Sequence, residues 1–321
     1  MSKRRHFLAL SAALPWLVQA QSFPSRPLKI VVPNAPGGAA DITARTVAQK
    51  MAAALGQGVV IDNKPGAGGV VAGELVARAE ADGHTLLLVS SGTAVSAALF
   101  KSLPFDTLGD FAPVSMLATF DLAVVVAEGG RFKTLAELLA WARANPGKLN
   151  IGTPNVGTTQ NLAAELFKSS AGIEGQVVPF NGTPPVINAL RSGEIDAAVE
   201  ILGPIMGQIS AKALRPLAVL GDKRAPQLPE VPAARESGGA LAQFNVSSWN
   251  GLAVPAKTPP AVIARLNREV QAALALPEVK QRLLELNLVA QGSTPAQLGE
   301  HLAADTKRWA DVIARAKIPR Q

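Results

Sequence analysis

The sequence predicts an α/β fold, and three observations carry that expectation. Short β-branched runs alternate with helix-periodic segments along almost the whole chain. Turns rich in glycine and hydroxyl residues recur where a strand gives way to a helix, in both halves. The chain has 321 residues, and the 301 that follow an N-terminal leader of 20 suffice for two domains of ordinary size.

The leader comes first. Lys3, Arg4 and Arg5 form a positive region, and Phe7 to Val18 is an apolar stretch too short to span a bilayer. Val18-Gln19-Ala20 is a small-x-small cleavage pattern, so a signal peptide over 1–20 is expected, cut after about Ala20. Arg4-Arg5-His6-Phe7-Leu8 also resembles a twin-arginine signal, which leaves both the Sec and twin-arginine routes open.

The first half then reads as strand 28–33, helix 40–55 stopped by Gly56, strand 59–62, helix 70–81 and strand 84–89. Ser90-Ser91-Gly92-Thr93 reads as a turn, and 114–126 as a long apolar stretch interrupted by Asp121. Thr134 with Glu137 is a capping box opening a helix over 135–144. Strand 149–152, helix 159–170, strand 176–179, helix 183–191, strand 195–202, helix 204–213 and strand 214–221 follow. Residues 222–242, rich in proline, glycine and charge, read as a surface connection. Strand 247–254 and helices 260–275, 277–286 and 294–316 complete the chain, the last with Pro295 at its first position. The alternation implies mostly parallel sheets.

Composition narrows the function classes. There is no cysteine, which excludes disulfides, thiol nucleophiles and a lipidated cysteine, and an exported chain of this kind suits the periplasm. Losing the leader takes away three basic residues and no acidic one, so the formal charge falls from +7 to +4. No Lys/Arg stripe with interleaved aromatics marks a nucleic-acid surface. His84 and His301 are far apart in sequence, and Ser91 lacks the context of a hydrolase nucleophile elbow. No catalytic residue, metal ligand or cofactor is therefore expected. A secreted α/β hydrolase stands as the alternative from another class, and a ligand sensor feeding a signalling protein as a third reading.

Four turns carry the candidate binding chemistry: Pro36-Gly37-Gly38, Ser90 to Thr93, Asn155 to Thr159, and Asn181-Gly182-Thr183. In open α/β sheets ligands sit beyond the carboxyl ends of strands, and helix N-termini there favour an anionic group. Each turn has a plain reading as turn chemistry. No P-loop lysine follows the glycine pair and the pattern GxGxxG is absent, which argues against a nucleotide.

PNAPGGAADITAR (33–45), DNKPGAGG (62–69), ADGHTLL (81–87), LPFD (103–106), PFNGTPP (179–185) and WNGLAVPA (249–256), in this order and spacing, resemble the solute receptors of tripartite tricarboxylate transporters, the Bug family. The resemblance runs from about Arg26 to the C-terminal end. It implies a two-domain periplasmic-binding-protein fold, type II-like, closing like a Venus flytrap about a hinge. Domain I would take 21–119 and 224–321, and domain II 120–223. It implies capture of a small carboxylate (a di- or tricarboxylate, an aromatic acid or an amino acid) and delivery to membrane permease subunits, by a monomer in the periplasm. Backbone amides would hold the carboxylate at Asn34, Ala35, Gly37, Gly38 and Ala39 in one domain and at Gly157, Thr158 and Thr159 in the other. Asn161 departs from the family, which often has histidine there.

Further candidates rest on the residues themselves. Asp41 is a contact or a brace of its loop. Ser90, Ser91 and Thr93 offer hydroxyls, and Phe180 and Asn181 lie at the mouth of a strand. Glu200 ends a strand and Asp121 sits near the presumed hinge. If both faced the cleft, an amine on the ligand would be plausible. Trp249 reads as a core or hinge residue rather than a stacking platform.

Overall fold

The computed structural model of the chain describes residues 23–315 and 318–321; the expected signal peptide lies outside them. The strands are β1 (Leu28–Val32), β2 (Val59–Asn63), β3 (Thr85–Ser90), β4 (Phe111–Ala127), β5 (Leu149–Pro154), β6 (Gly175–Phe180), β7 (Ala197–Ile201), β8 (Leu214–Val219), β9 (Ser247–Pro255) and β10 (Leu288–Ala290). The helices are α1 (Ala39–Leu55), α2 (Val70–Ala77), α3 (Ser91–Leu99), α4 (Leu135–Ala144), α5 (Thr159–Ala171), α6 (Thr183–Ser192), α7 (Leu202–Ser210), α8 (Pro260–Ala275), α9 (Pro277–Leu284) and α10 (Pro295–Arg315).

β4 organises the molecule. Its first part, Phe111 to Asp121, pairs antiparallel with β9 and, near its end, with β10. Its second part, Leu122 to Ala127, pairs antiparallel with β7 and β8. One strand of 17 residues therefore belongs to two sheets. The first sheet runs β2-β1-β3-β9-β4 and the second continues β4-β7-β5-β6. Parallel pairing holds among β1, β2 and β3 and among β5, β6 and β7. The expected mostly parallel order fails at the centre, because β4 and β9 return through the sheet in the opposite sense.

The inner parallel strands are largely buried because helices cover both sides, whereas the edge strands β2 and β6 are partly exposed. In β1, Leu28, Ile30, Val31 and Val32 are all buried. α8 packs against β4 and α1, and α10 against β4 and α3, so the C-terminal helices return to the first sheet. Trp309 of α10 is completely buried there.

The chain re-crosses through 220–246. Leu220 N–H donates to Leu122 O and Val246 N–H to Leu220 O. The segment expected as a surface connection is anchored: Ala225, Ala233, Leu241 and Phe244 are buried, and Phe244 meets Phe167 of α5 edge-on. Asp121 lies beside this crossing, where burial raises its pKa and Asp222 adds repulsion, with Asn287 and Lys223 acting the other way. No helix among the described residues is long and apolar enough to cross a membrane.

Candidate functional site

A cavity of about 320 Å3 opens between the two sheets. Helices from both sheets begin at its wall, so their positive N-terminal ends converge. The loop expected to hold a carboxylate lines one side with Asn34, Ala35, Gly37, Gly38 and Ala39. Gly157, Thr158 and Thr159 line the other, with Ser90 and Thr93 between.

Local chemistry decides what each turn presents. Gly37 has φ +84°, a left-handed conformation that glycine adopts without strain, whereas Gly38 has an ordinary φ of −82° and precedes α1 as an extended N-cap. No side chain caps α1. The N–H groups of Gly38, Ala39 and Ala40 have no acceptor among the described residues, so they are available to an anion.

The hydroxyls divide differently. Ser90 and Thr93 form a reciprocal box: Gly92 N–H donates to Ser90 Oγ at 3.1 Å and Ser90 N–H to Thr93 Oγ1 at 3.0 Å. Both hydroxyls accept there, and each keeps its own proton to donate. The turn expected at 90–93 is thus the start of α3, a helix the sequence reading missed. Thr158 donates to Asn155 O and accepts from Asn161 N–H, so its hydroxyl is committed to capping α5. Asn161 itself is buried and donates to Thr153.

Five candidates stand outside the lining. Ser91 is fully buried because it is the first helical residue and turns inward, where its Oγ accepts from Trp249 N–H. Trp249 is likewise core, with its indole donating to Asp305 at 2.9 Å. Asp41 faces back into its own loop, accepting from Gly37 N–H, Arg45 Nε and Asn63 Nδ2 at 2.9–3.0 Å. Burial alone would raise its pKa; Arg45, Gly37 and Asn63 together outweigh burial and hold it below the ordinary carboxylate value. Phe180 packs toward the second sheet's satellite core, and exposed Asn181 accepts weakly from Asn155. Glu200 is completely buried on β7 behind the wall. Neither it nor Asp121 lines the cleft, so the lining holds no carboxylate.

The sequence reading missed other lining residues. Gln160, Thr183, Asn188, Arg191 and Gln208 project from helices α5, α6 and α7, and Ser248 and Asn250 from β9. Thr183 lay in a turn already singled out; the others carried no sequence signal. Arg191 is the one ionisable side chain of the lining. α6 begins Thr183-Pro184-Pro185, and proline has no N–H, so this helix offers the cavity mainly the Thr183 amide and hydroxyl.

The two walls touch. Ser96 Oγ of α3 lies 2.6 Å from Gly68 O and 3.3 Å from Gly157 O, which joins loops from the two sheets. Gly157 has φ +80°, and a Cβ there would sit 3.0 Å from Gly68 Cα.

Two α/β lobes sharing one long strand, with helix N-termini facing each other across a cleft, define a periplasmic-binding-protein fold. The chain belongs to the tripartite tricarboxylate transporter family receptors, whose family model matches residues 43–318. It is 37% identical over 311 residues to the UPF0065 protein in the tcbD-tcbE intergenic region of Pseudomonas sp. strain P51, covering 97% of this chain and 92% of the relative. Among solved structures it is similar to R. palustris Rpa4515 with adipate (TM-score 0.88, 30% identity, 92% of this chain and 99% of that one). It is also similar to MatC from Rhodopseudomonas palustris with bound malate (TM-score 0.84, 32% identity, 91% and 100%).

Proposed function

We propose that this receptor captures a small dicarboxylate between its lobes and delivers it, unchanged, to the membrane permease subunits of a tripartite transporter. The observation that carries the reading is the lining itself. It sets unpaired helix-start amides, neutral donors and one cation, Arg191, around a cavity without a single carboxylate. One acid group suits the amides of Gly38, Ala39 and Ala40; the second suits Arg191, whose guanidinium matches a carboxylate bidentately. An amino acid fits less well, since its ammonium would find no counter-charge on the wall. The relatives with adipate and malate support the same class.

The lobes of this reading are 21–119 with 224–321, and 120–223, hinged where β4 and the 220–246 segment cross. The leader over 1–20 supports action in the periplasm, and the monomer is the working unit. Calorimetry with adipate, malate, citrate, glutamate and benzoate, followed by product analysis, tests the proposal. Adipate or malate should bind 1:1 without turnover, and Arg191→Met should weaken a dicarboxylate about tenfold, equivalent to 1.4 kcal/mol, while sparing benzoate. Turnover of any acid, or preference for glutamate over every dicarboxylate, refutes it.

A further inference from the structure

Glu200 is a buried carboxyl with no structural partner of opposite charge. It lies on β7, is completely inaccessible, and its Oε1 has no hydrogen-bond partner among the described residues. Its Oε2 lies 3.2 Å from the Thr183 hydroxyl. Thr183 in turn lines the cleft, at the start of a helix whose next two residues lack an N–H. One hydroxyl therefore touches both the hidden acid and the ligand space.

A hydroxyl has one proton to give. When Glu200 is ionised it can only accept, so Thr183 donates inward and turns lone pairs to the cleft. When Glu200 is protonated it can donate to Thr183 Oγ1, which frees the Thr183 proton for a ligand. We propose, resting on the reading above that the ligand is a carboxylate, that Glu200 is a positioning residue. Through Thr183 it sets whether the cleft offers an anion a donor or a repelling lone pair.

The surroundings leave Glu200 alone in this role. Burial pushes its pKa up to about 8, with Thr183, Gln160 and the Ile201 amide acting the other way and no charged neighbour contributing. β5 and α7, packed beside β7, carry no ionisable side chain. The ionisable groups of β4 (Asp121), α5 (Glu165, Lys168) and α6 (Arg191) do not shift it, and a guanidinium keeps its charge over the pH range of the test. Binding of an anion should then favour protonated Glu200 and take up a fraction of a proton near and above pH 8.

The test is calorimetry with the tightest acid of the panel, fully ionised throughout, from about pH 6.5 to about pH 9, in two buffers of different ionisation enthalpy. Wild-type affinity should fall as pH rises, by up to about tenfold per unit above the Glu200 pKa, with proton uptake on binding. Glu200→Gln keeps a permanent donor to Thr183, so it should bind as wild type does at the low end and stay flat. Thr183→Val should bind weakly and also stay flat. A flat wild-type profile, or a wild-type slope surviving in either variant, overturns the proposal while the receptor reading stands. If no acid binds at any pH, the carboxylate reading fails and this proposal falls with it.

Discussion

Replacing Asp41 with alanine should loosen the carboxylate loop without touching a ligand. The carboxyl ties three things together: Gly37 N–H at 3.0 Å, Asn63 Nδ2 at 2.9 Å and Arg45 Nε at 3.0 Å. Arg45 is half exposed, so its ion pair counts for little, within about 1 kcal/mol. The bonds from Gly37 and Asn63 go to a buried charged acceptor, and losing one such bond costs about 1.5–3 kcal/mol. Solvent can partly satisfy the orphaned donors, so Asp41→Ala should lose about 2–3 kcal/mol of stability at neutral pH. The sign with pH follows from the lowered folded pKa. The contribution is full above the unfolded value, near 3.8, and disappears as pH falls through the folded one. Wild type and variant should therefore converge in acid. Urea denaturation at neutral and acid pH measures this, and calorimetry should show a dicarboxylate Kd about tenfold higher. A neutral-pH stability within about 0.5 kcal/mol of wild type would refute the brace. So would unchanged stability with abolished binding, which would make Asp41 a direct contact.

The two glycines of the same loop should separate. Gly37→Ala forces a side chain into φ +84° and should cost about 1 kcal/mol, whereas Gly38→Ala, whose Cβ would meet only Ala35 O at 3.7 Å, should leave stability unchanged, so any affinity it loses in calorimetry reports close approach of the ligand. Gly157→Ala carries the same left-handed strain, about 1 kcal/mol, and should in addition hinder closure, because its Cβ would meet Gly68, Phe100 and Ser96 where the lobes touch. Small-angle scattering should show the variant remaining more extended than wild type at the same ligand concentration, and an identical contraction would count against lobe closure at this contact.

The sequence marked the regular elements well where local chemistry dictates them. Thr134 and Glu137 placed the start of α4, and Gly56, which is left-handed, closed α1. It failed at α3, whose residues SGTAVSAAL are small and carry little amphipathic contrast, so the capping box of Ser90 and Thr93 passed for a turn. It also failed at β10, three residues long and held only by pairing with β4. The doubled role of β4 was hidden as well: the apolar stretch 114–126, interrupted by Asp121, says nothing of which partners the two ends of a 17-residue strand find.

The cleft was legible in an uneven way, and the cause lies in its chemistry. Backbone N–H groups are common to every residue but proline, so a site built from helix starts leaves only turn punctuation in the sequence. That punctuation located the loops around Gly37, Ser90 and Gly157. Side chains obey the geometry of their element instead. Ser90 caps α3 and lines the cavity while Ser91, one step further, enters the helix and points into the core. Thr183 and Arg191 stand at opposite ends of α6 yet border the same space, which only the helix's placement against the second sheet brings about. Glu200 lies behind Thr183 because β7 carries it beneath the start of α6. A carboxylate read along the chain as a possible partner for an amine becomes, once buried without a cation, the reason the adjoining hydroxyl can favour an anion.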